Sequence, residues 1–552
     1  MSVSDTASSK KDLKVIVAAS AAGTTFEWYD FFIFGALTSI IAQNFYAGVS
    51  GTLGTILTLL TFAVGFIARP VGAIVFGIIG DKKGRKGTFL WTIIIMGIAT
   101  ILIGCLPTYA QAGPLAPILL VFLRVVQGFA LGGEYGGAAI YVAEHAPSNQ
   151  RGAFTSWIQA SAAFGLIAAL SIILITRKIV GEPAFVDWGW RIPFIISTGL
   201  LIVSVYIRAK TAESPAFKAL HAEGQIAKSP LSEIFTRWSN LKGMLIALFG
   251  FMTAQGVIWY TSFFYTQVFL ERIVRLDPQQ KDTLIIGMTL VSAPLYILFA
   301  RLSDKYGRKP IMIFGMVLAC ATFFPGFAGL MKFGNPDFEA ASRASPVVIV
   351  ADPAQCTFQF DLFSTAQFAS PCDLAKSTVT SLGAPYSNEA DAAGTATATV
   401  RIGDAAIVLP SGQGLDKAEI KALKAKAGAD IKAAMAAAGY PEKADPRKAN
   451  LWAMFAILCV FAIACTALYG PMASALVEMF PTRVRYTAMS LPYNIGTGWF
   501  GGLQPALSFA IVAATGNIYW GLWYTVGVGV VAIVVALIFM KETKGRDLHT
   551  VE

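Results

Sequence analysis

Residues 77–86 read Gly-Ile-Ile-Gly-Asp-Lys-Lys-Gly-Arg-Lys, and residues 300–309 read Ala-Arg-Leu-Ser-Asp-Lys-Tyr-Gly-Arg-Lys. Each stretch follows an apolar run. Asp81, Gly84, Arg85 and Lys86 recur as Asp304, Gly307, Arg308 and Lys309, 223 residues on. A second pair of loops repeats as well. Glu144, Pro147 and Arg151 return as Glu478, Pro481 and Arg485, at an offset of 334 residues. The chain therefore reads as two copies of one unit. The offset lengthens by 111 residues between the two motifs, which marks an insertion between them. The polar, Ala-rich stretch 332–450 is where the composition changes to match.

What the unit is made of follows from hydropathy. The chain has 552 residues, 55% apolar and only 14% charged, with a mean hydropathy of +0.61. Soluble domains carry roughly a quarter charged residues. Apolar runs of about 18 to 28 residues recur, each able to cross a hydrocarbon core of about 30 Å as a helix. Twelve spans are expected, near 15–43, 53–79, 88–107, 116–143, 154–176, 190–209, 243–269, 282–301, 310–331, 451–478, 486–513 and 518–540. The first run continues into Glu27 and Asp30, so it reads as a retained span and not as a cleaved signal.

The net charge is +10. It points to the membrane and not to nucleic acid, because the basic residues gather in alternate short loops. With the N-terminus inside, the cytoplasmic pieces hold 23 Lys and Arg and the short outer loops six. That asymmetry puts both termini in the cytoplasm and 332–450 outside. The expected fold is an all-α membrane protein, two six-helix pseudo-repeat bundles with a small α+β extracytoplasmic insert between helices 9 and 10. Its parts are an N-terminal bundle (1–209), a central loop (210–242), helices 7–9 (243–331), the insert (332–450), and helices 10–12 with the tail (451–552).

The pattern Gly77-x-x-x-Asp81-x-x-Gly84-Arg85-Lys86, with twelve spans in two halves, resembles the major facilitator superfamily. Two further stretches are narrower: Gly23-Thr-Thr-Phe-Glu-Trp-Tyr-Asp-Phe in span one, and Arg124-Val-Val-Gln-Gly-Phe-Ala-Leu-Gly-Gly-Glu134-Tyr-Gly-Gly-Ala in span four. Together they resemble the metabolite:proton symporter family, which carries dicarboxylates, shikimate-like acids, proline or betaines. The resemblance implies that Asp81 braces the start of span eleven and that Arg85 pairs with Glu144. The second copy offers Asp304, Arg308 and Glu478, and the matched pair Arg151 and Arg485 completes the set. Gly77 would let helices approach closely. Ala300 stands where the second copy would have that glycine, so closer packing is not expected there.

Charges inside the spans are the other signal. An Asp, Lys or Arg at mid-bilayer costs about 2.5–3.5 kcal/mol on insertion scales, so such residues face a cavity or a partner. Glu27 and Asp30 lie three apart and share a helix face. Burial disfavours a charged carboxyl and a nearby arginine favours it, so a moving partner can switch its protonation. Asp30 is the first choice for the coupled proton, with Glu27 and Glu134 beside it. Arg124 is the first choice for a substrate carboxylate, through a two-pronged guanidinium contact, and Arg69 the second, or else a partner of Glu134. Gln127 and Tyr135 follow the Arg124 face. The superfamily's cavity-lining pattern adds Gln255, Trp259 and Tyr260 from span seven, with Tyr493 and Asn494 from span eleven.

The primary reading is proton-coupled uptake of a small carboxylate metabolite, such as a dicarboxylate or shikimate-like acid, by alternating access. A zwitterion (proline or betaine) symporter and an exporter of drugs or metabolites are the alternatives. A sensor is a third class, and the paired loop motifs argue against it. An enzyme or ATP-driven pump is not expected: no phosphate-binding Gly-Lys-Ser/Thr loop occurs. No metal or other cofactor is expected, and the coupled ion is a proton. The expected partners are the lipid bilayer and the solute, with the chain working as a monomer in a bacterial inner membrane. The insert is a candidate surface for an extracytoplasmic partner; its runs 346–351, 356–362 and 395–410 read as strands, and an Ala/Lys-rich helix is expected within 416–441, closed by Gly439 before Pro441. Cys356 and Cys372 both lie in the insert, where an oxidising compartment would favour a disulfide.

Overall fold

The computed structural model describes residues 10–46, 51–209, 213–224, 226–358 and 368–548. The start of the first domain, residues 210–212 at the head of the central loop and 359–362 of an expected strand lie outside them. Twelve long helical rods form the body. In the first half they are α1 (Lys10–Ala36, carried on by Thr38–Phe45), α2 (Gly51–Lys83), α3 (Arg85–Cys105), α4 (Leu115–His145), α5 (Arg151–Val180) and α6 (Arg191–Ala209). In the second they are α7 (Trp238–Ile273), α8 (Pro278–Tyr306), α9 (Arg308–Gly334), α10 (Leu451–Met479), α11 (Arg485–Asn494, then Ile495–Gly501 and Gln504–Thr515) and α12 (Leu522–Phe539). Ten described helices are long and apolar enough to cross a membrane. The other two rods are α1, which carries Glu27 and Asp30, and α11, which is broken in its path.

Glycines decide the closest helix contacts. A Cβ on Gly128 or Gly132 of α4 would strike the α2 backbone at Gly65 O or Arg69 O. Small residues let α2 and α4 touch backbone to backbone. Within the second half, a Cβ on Gly256 of α7 would strike Gly496 O of α11. Both rods turn π-helical near this contact, over Leu248–Met252 and Thr261–Tyr265 in α7 and Ile495–Gly501 in α11. Such bulges relax the backbone register where two helices must fit each other.

Between α9 and α10 lies a small α+β unit. Its sheet has the order β2-β1-β3-β4, with β1 Val347–Ala351, β2 Tyr386–Ala390, β3 Thr397–Ile402 and β4 Ala405–Pro410. β1 pairs parallel with β2 and antiparallel with β3. Helices Pro371–Ser381 and Lys417–Ala437 pack on it. The strand-like runs at 346–351 and 395–410 hold β1 and the pair β3 and β4. Cys356–Phe358, the described part of the expected strand at 356–362, is not a strand. Cys356 and Cys372 are joined by a disulfide.

The unit is fastened to the second half. Arg275, between α7 and α8, donates to Pro441 O at 2.7 Å and Leu382 O at 2.6 Å, and its guanidinium lies 4.6 Å from the Phe338 ring centre. It does so with φ of 62°, the one positive φ outside glycine among the described residues. The Tyr386 N–H donates to Gly516 O at 2.9 Å, just beyond α11. These anchors sit at the end of the bundle opposite the Asp81 and Asp304 loops.

Candidate functional site

The repeated loops meet across the two halves at one end of the bundle. Asp81, at the end of α2, accepts from the N–H of Tyr486 (3.0 Å) and of Thr487 (2.9 Å), and from the Thr487 hydroxyl (2.8 Å). Asp304, at the end of α8, accepts from the N–H of Gly152 (2.9 Å) and Ala153 (2.8 Å). Each carboxylate thus caps the first turn of a helix in the opposite half, where free N–H groups and the helix dipole favour an anion.

The arginines divide differently from expectation. Arg85 does not pair with Glu144. It bonds Asp81 at 2.9 Å, Gly80 O at 2.6 Å and Thr482 O at 2.7 Å, and lies against the rings of Phe217 and Tyr486. Glu144 instead takes Arg485 of the other half, at 2.7 Å. In the second copy Arg308 bonds both Asp304 (2.5 Å) and Glu478 (3.1 Å), and Arg151 crosses the halves to Glu478 at 3.0 Å. The carbonyls of Gly80 and Thr482 take the place of the expected carboxylate around Arg85. The missing glycine at Ala300 is also made good. A Cβ on Gly152, on the facing helix, would lie 2.8 Å from Ala300 O. In the first copy it is Gly77 that faces Thr487, where an added Cβ would lie 2.8 Å from the Thr487 Cα.

Two residues at this end were not read from the sequence. Glu213 accepts from the N–H of Arg85 and Lys86, and Glu542 accepts in the same way from Arg308 and Lys309. Gly84 and Gly307 precede these N-termini with φ of 113° and 109°. The Lys86 amine closes on Ala209 O, and that of Lys309 on Leu537 O and Met540 O, at the helix ends where cations are favoured. Glu213-Ser214 and Glu542-Thr543, each just after the last span of its half, were the available signal. Burial pushes the Glu542 carboxyl up, but the N–H groups of Arg308, Lys544, Lys309 and Thr543 outweigh it and hold it below the ordinary range.

Deeper in, a cavity opens between the halves. It is lined by Thr24, Glu27, Trp28, Phe31, Arg69, Leu131, Tyr135 and Tyr493. Tyr135 of α4 and Tyr493 of α11 stack with ring centres 3.8 Å apart. Trp28 of α1 and Trp259 of α7 approach to 6.0 Å. The space itself is about 20 Å³, room for about one water. Trp259 donates to the Tyr296 hydroxyl, and Tyr260 packs on Phe66 and Phe264. Gln255 is buried in α7 and, like Trp259 and Tyr260, does not line this cavity.

The cationic candidates exchange rank. Arg124 does not line the cavity. It lies two turns from Leu131 along α4, about 10 Å, with its guanidinium 4.1 Å from the Phe34 ring centre. It donates to Gln127 Oε1 at 2.8 Å, and Gln127 donates to Thr100 at 2.7 Å. Arg69 does line the cavity. Its Nε donates to Asn494 Oδ1 at 3.0 Å, so it does not pair with Glu134, and its guanidinium faces Phe66 and Tyr493. Asn494 also donates to Gly132 O, tying α2, α11 and α4 together behind the cavity wall.

The acids separate as well. Asp30 accepts from the Ser197 hydroxyl at 2.5 Å. It opens onto a second space of about 20 Å³ between α1, α3 and α6. Glu27 lines both spaces, so it connects the central cavity with the one beside Asp30. Glu134 faces Arg208 of α6, which the sequence places at the very end of the sixth span. Arg208 lies 3.6 Å from Glu27 and 3.7 Å from Glu134, with its guanidinium on the Phe89 ring.

The family model described as "Sugar (and other) transporter" matches residues 15–234 and 428–552. The glycine betaine/proline/ectoine/pipecolic acid transporter OusA of Dickeya dadantii is 27% identical over 546 residues, 97% of this chain and 85% of that protein. The proline/betaine transporter of Escherichia coli K12 is 27% identical over 547 residues, with the same coverage. That of Salmonella typhimurium is 34% identical over 326 residues, 57% of this chain and 64% of its own. Among solved structures, the proton:xylose symporter XylE bound to 6-bromo-6-deoxy-D-glucose superposes with a TM-score of 0.62. At 15% identity over 98% of both chains, it shares the fold.

Proposed function

The chain belongs to the sugar (and other) transporter family of the major facilitator superfamily, and on that premise we propose that it is a proton-coupled symporter of small zwitterions of the proline and betaine type. The observation that carries the reading is the central cavity. One cation, Arg69, and one anion, Glu27, line the same aromatic-walled space. A zwitterion needs both: a guanidinium for its carboxylate, and an anion with aromatic faces for its ammonium. A dicarboxylate would need two cations and would meet Glu27 as a repelling charge. The carboxylate-metabolite reading of the sequence therefore gives way to its zwitterion alternative. The names of the relatives point the same way.

The topology that goes with this reading is a multi-pass inner-membrane monomer of twelve spans. Both termini and the Asp81 and Asp304 loops face the cytoplasm, and the α+β unit faces the periplasm. The cytoplasmic gate is closed by the cross-half contacts of Asp81, Asp304, Glu144 and Glu478. With room for about one water, the cavity must widen to take a solute. Opening toward one side and then the other, about the Tyr135–Tyr493 stack, is alternating access. Glu27, Asp30 and Glu134 are the coupling carboxyls.

Counterflow of labelled betaine into proteoliposomes, competed in turn by proline, betaine, 2-oxoglutarate, citrate and shikimate, tests the substrate class. Proline and betaine are expected to compete and the three acids to leave uptake unchanged. Competition by an acid, with none by proline, would overturn the reading.

A further inference from the structure

A cavity of about 430 Å³ lies in the seam between the α+β unit and the second half, and shares no lining residue with the central cavity. Ligand sites commonly enclose roughly 300–1,000 Å³. Three pieces of chain wall it: the helix Pro336–Ala344, the starts of β1 and β2, and the turn between α11 and α12. Met331, Phe338, Val347 and Ile518 give it a buried apolar floor. Glu339, Ser342, Arg343, Ser387, Asn517 and Tyr519 give it a polar lining that is partly or fully exposed.

The walls are held in place. Tyr386 crosses the seam twice, with its N–H donating to Gly516 O at 2.9 Å and its hydroxyl to Ala513 O. Gly516 takes φ of 78°, and a Cβ there would strike Tyr386 O. Asn517 Oδ1 accepts from the Tyr519 N–H at 2.9 Å and sets the turn. On the facing wall the Tyr440 hydroxyl donates to Ser345 O at 2.7 Å. A space built this way needs little ordering to take a ligand.

Its depth in the bundle identifies the neighbourhood. Met331 is in the last turn of α9, and Tyr519 stands three residues before α12. Trp520 and Trp523 beside it are exposed, as is Trp452 at the start of α10. Exposed tryptophans at span ends mark the level of the lipid headgroups. The cavity therefore lies where hydrocarbon gives way to water, with Met331 on its membrane side.

Its charges narrow the chemistry. Arg343 and Glu339 form an i, i+4 ion pair on the helix Pro336–Ala344. Arg343 is exposed, and an ion pair open to water is weakly held. A phosphate takes a guanidinium through two parallel hydrogen bonds, which frees Glu339 for a cation. A headgroup with negative charge alone would meet Glu339 as a repelling charge. A quaternary ammonium needs open aromatic faces. The Phe338 ring is already occupied by the Arg275 guanidinium, 4.6 Å from its centre, and by the Tyr440 ring at 5.2 Å. A primary ammonium needs oxygen acceptors for its three N–H groups instead, and Glu339, Ser342 and Tyr519 supply oxygens there.

We propose that the seam binds an outer-leaflet phospholipid whose headgroup carries one phosphate and one primary ammonium. The phosphate sits on Arg343, the ammonium on Glu339, and the start of the acyl chains on the Met331 floor. The choice of leaflet rests on the topology proposed above.

Retention of lipid by the full-length chain tests this. The chain is stripped of lipid in detergent, given dioleoyl phosphatidylethanolamine, phosphatidylcholine or phosphatidylglycerol, washed, and weighed by native mass spectrometry. The wild type should keep one phosphatidylethanolamine that Ser387→Trp, which fills the cavity, does not keep. Arg343→Gln and Glu339→Gln should each weaken that site at least tenfold. The other two lipids should show no difference between wild type and Ser387→Trp. A photoactivatable phosphatidylethanolamine should label the wild type within 331–347 or 513–524, a reading that needs no variant to fold. Equal retention by the wild type and all three variants, with labelling elsewhere, would overturn the proposal. Phosphatidylglycerol held at the cavity as firmly as phosphatidylethanolamine would overturn the zwitterionic headgroup. Equal competition by water-soluble phosphoethanolamine would overturn the lipid as its source. No solute or pH gradient enters the measurement, so an error in the transport reading leaves it unaffected, and an inverted topology would change the leaflet and not the binding.

Discussion

Asp81 of the first half holds Thr487 of the second by two hydrogen bonds, 2.9 Å from its N–H and 2.8 Å from its hydroxyl. Hydrogen bonds to a charged group contribute about 1.5–3 kcal/mol each. Asp81→Asn removes the charge and one of the acceptor arrangements. The gate-closed state should lose roughly ten- to a hundredfold in population. A cysteine placed in the α10–α11 loop should become more reactive to a membrane-impermeant thiol reagent applied at the gate side. Unchanged reactivity would show that Asp81 does not hold the gate.

Gly152 and Ala300 make the matching contact in the other copy. A side chain at 152 would meet Ala300 O at 2.8 Å and an Arg308 nitrogen at 2.6 Å. Gly152→Val should therefore separate α5 from α8 and reduce transport at least tenfold, as should Gly77→Val against Thr487. Ala300→Gly should be tolerated within about twofold. Uptake rates normalised to carrier in the membrane measure all three.

Cys356 and Cys372 are bonded, and Cys105, Cys320, Cys459 and Cys465 are free. Denatured, unreduced protein should expose four reactive thiols, rising to six after reduction. Six before reduction would exclude the bridge.

Glu542 lies outside the spans, with its carboxyl held below the ordinary value of 4.5 by the backbone N–H groups of Arg308, Lys544, Lys309 and Thr543 against burial. A depressed carboxyl stabilises the fold above its unfolded value, and that stabilisation is lost as pH falls through the folded one. The group is half-exposed, so its share is about 0.5–1 kcal/mol. Glu542→Gln should lower the melting temperature in detergent at pH 7, and the difference should shrink as the pH is lowered through the depressed value of the carboxyl. A difference that persists at acid pH would assign the effect to packing.

The two-fold architecture was legible because charge spacing survives in both copies. Asp81 and Asp304, and Glu144 and Glu478, are constrained by helix ends at matched positions, so they recur in the sequence. Partner choice was not legible. Whether Arg85 meets Glu144 or the carbonyls of Gly80 and Thr482 depends on ångström-scale offsets between the halves. Arg124 and Leu131 lie on one stripe of α4, yet two turns separate them, and periodicity has no record of depth. Arg208 was hidden for a different reason. By sequence it ends a span, and only its long side chain carries its charge inward. In the insert, β2 and the helix Pro371–Ser381 went unread, since the sequence of β2, Tyr-Ser-Asn-Glu-Ala, has no apolar alternation.

The central claim is that a pH gradient drives a zwitterion through the Arg69–Glu27 cavity. The most direct measurement is betaine accumulation in proteoliposomes holding the purified chain, with the outside acidic, equal or alkaline relative to the lumen. An acidic outside should drive accumulation well above the external concentration. Equal pH should give equilibration only, and a protonophore should erase the difference. Accumulation that is the same at all three gradients would contradict proton-coupled symport.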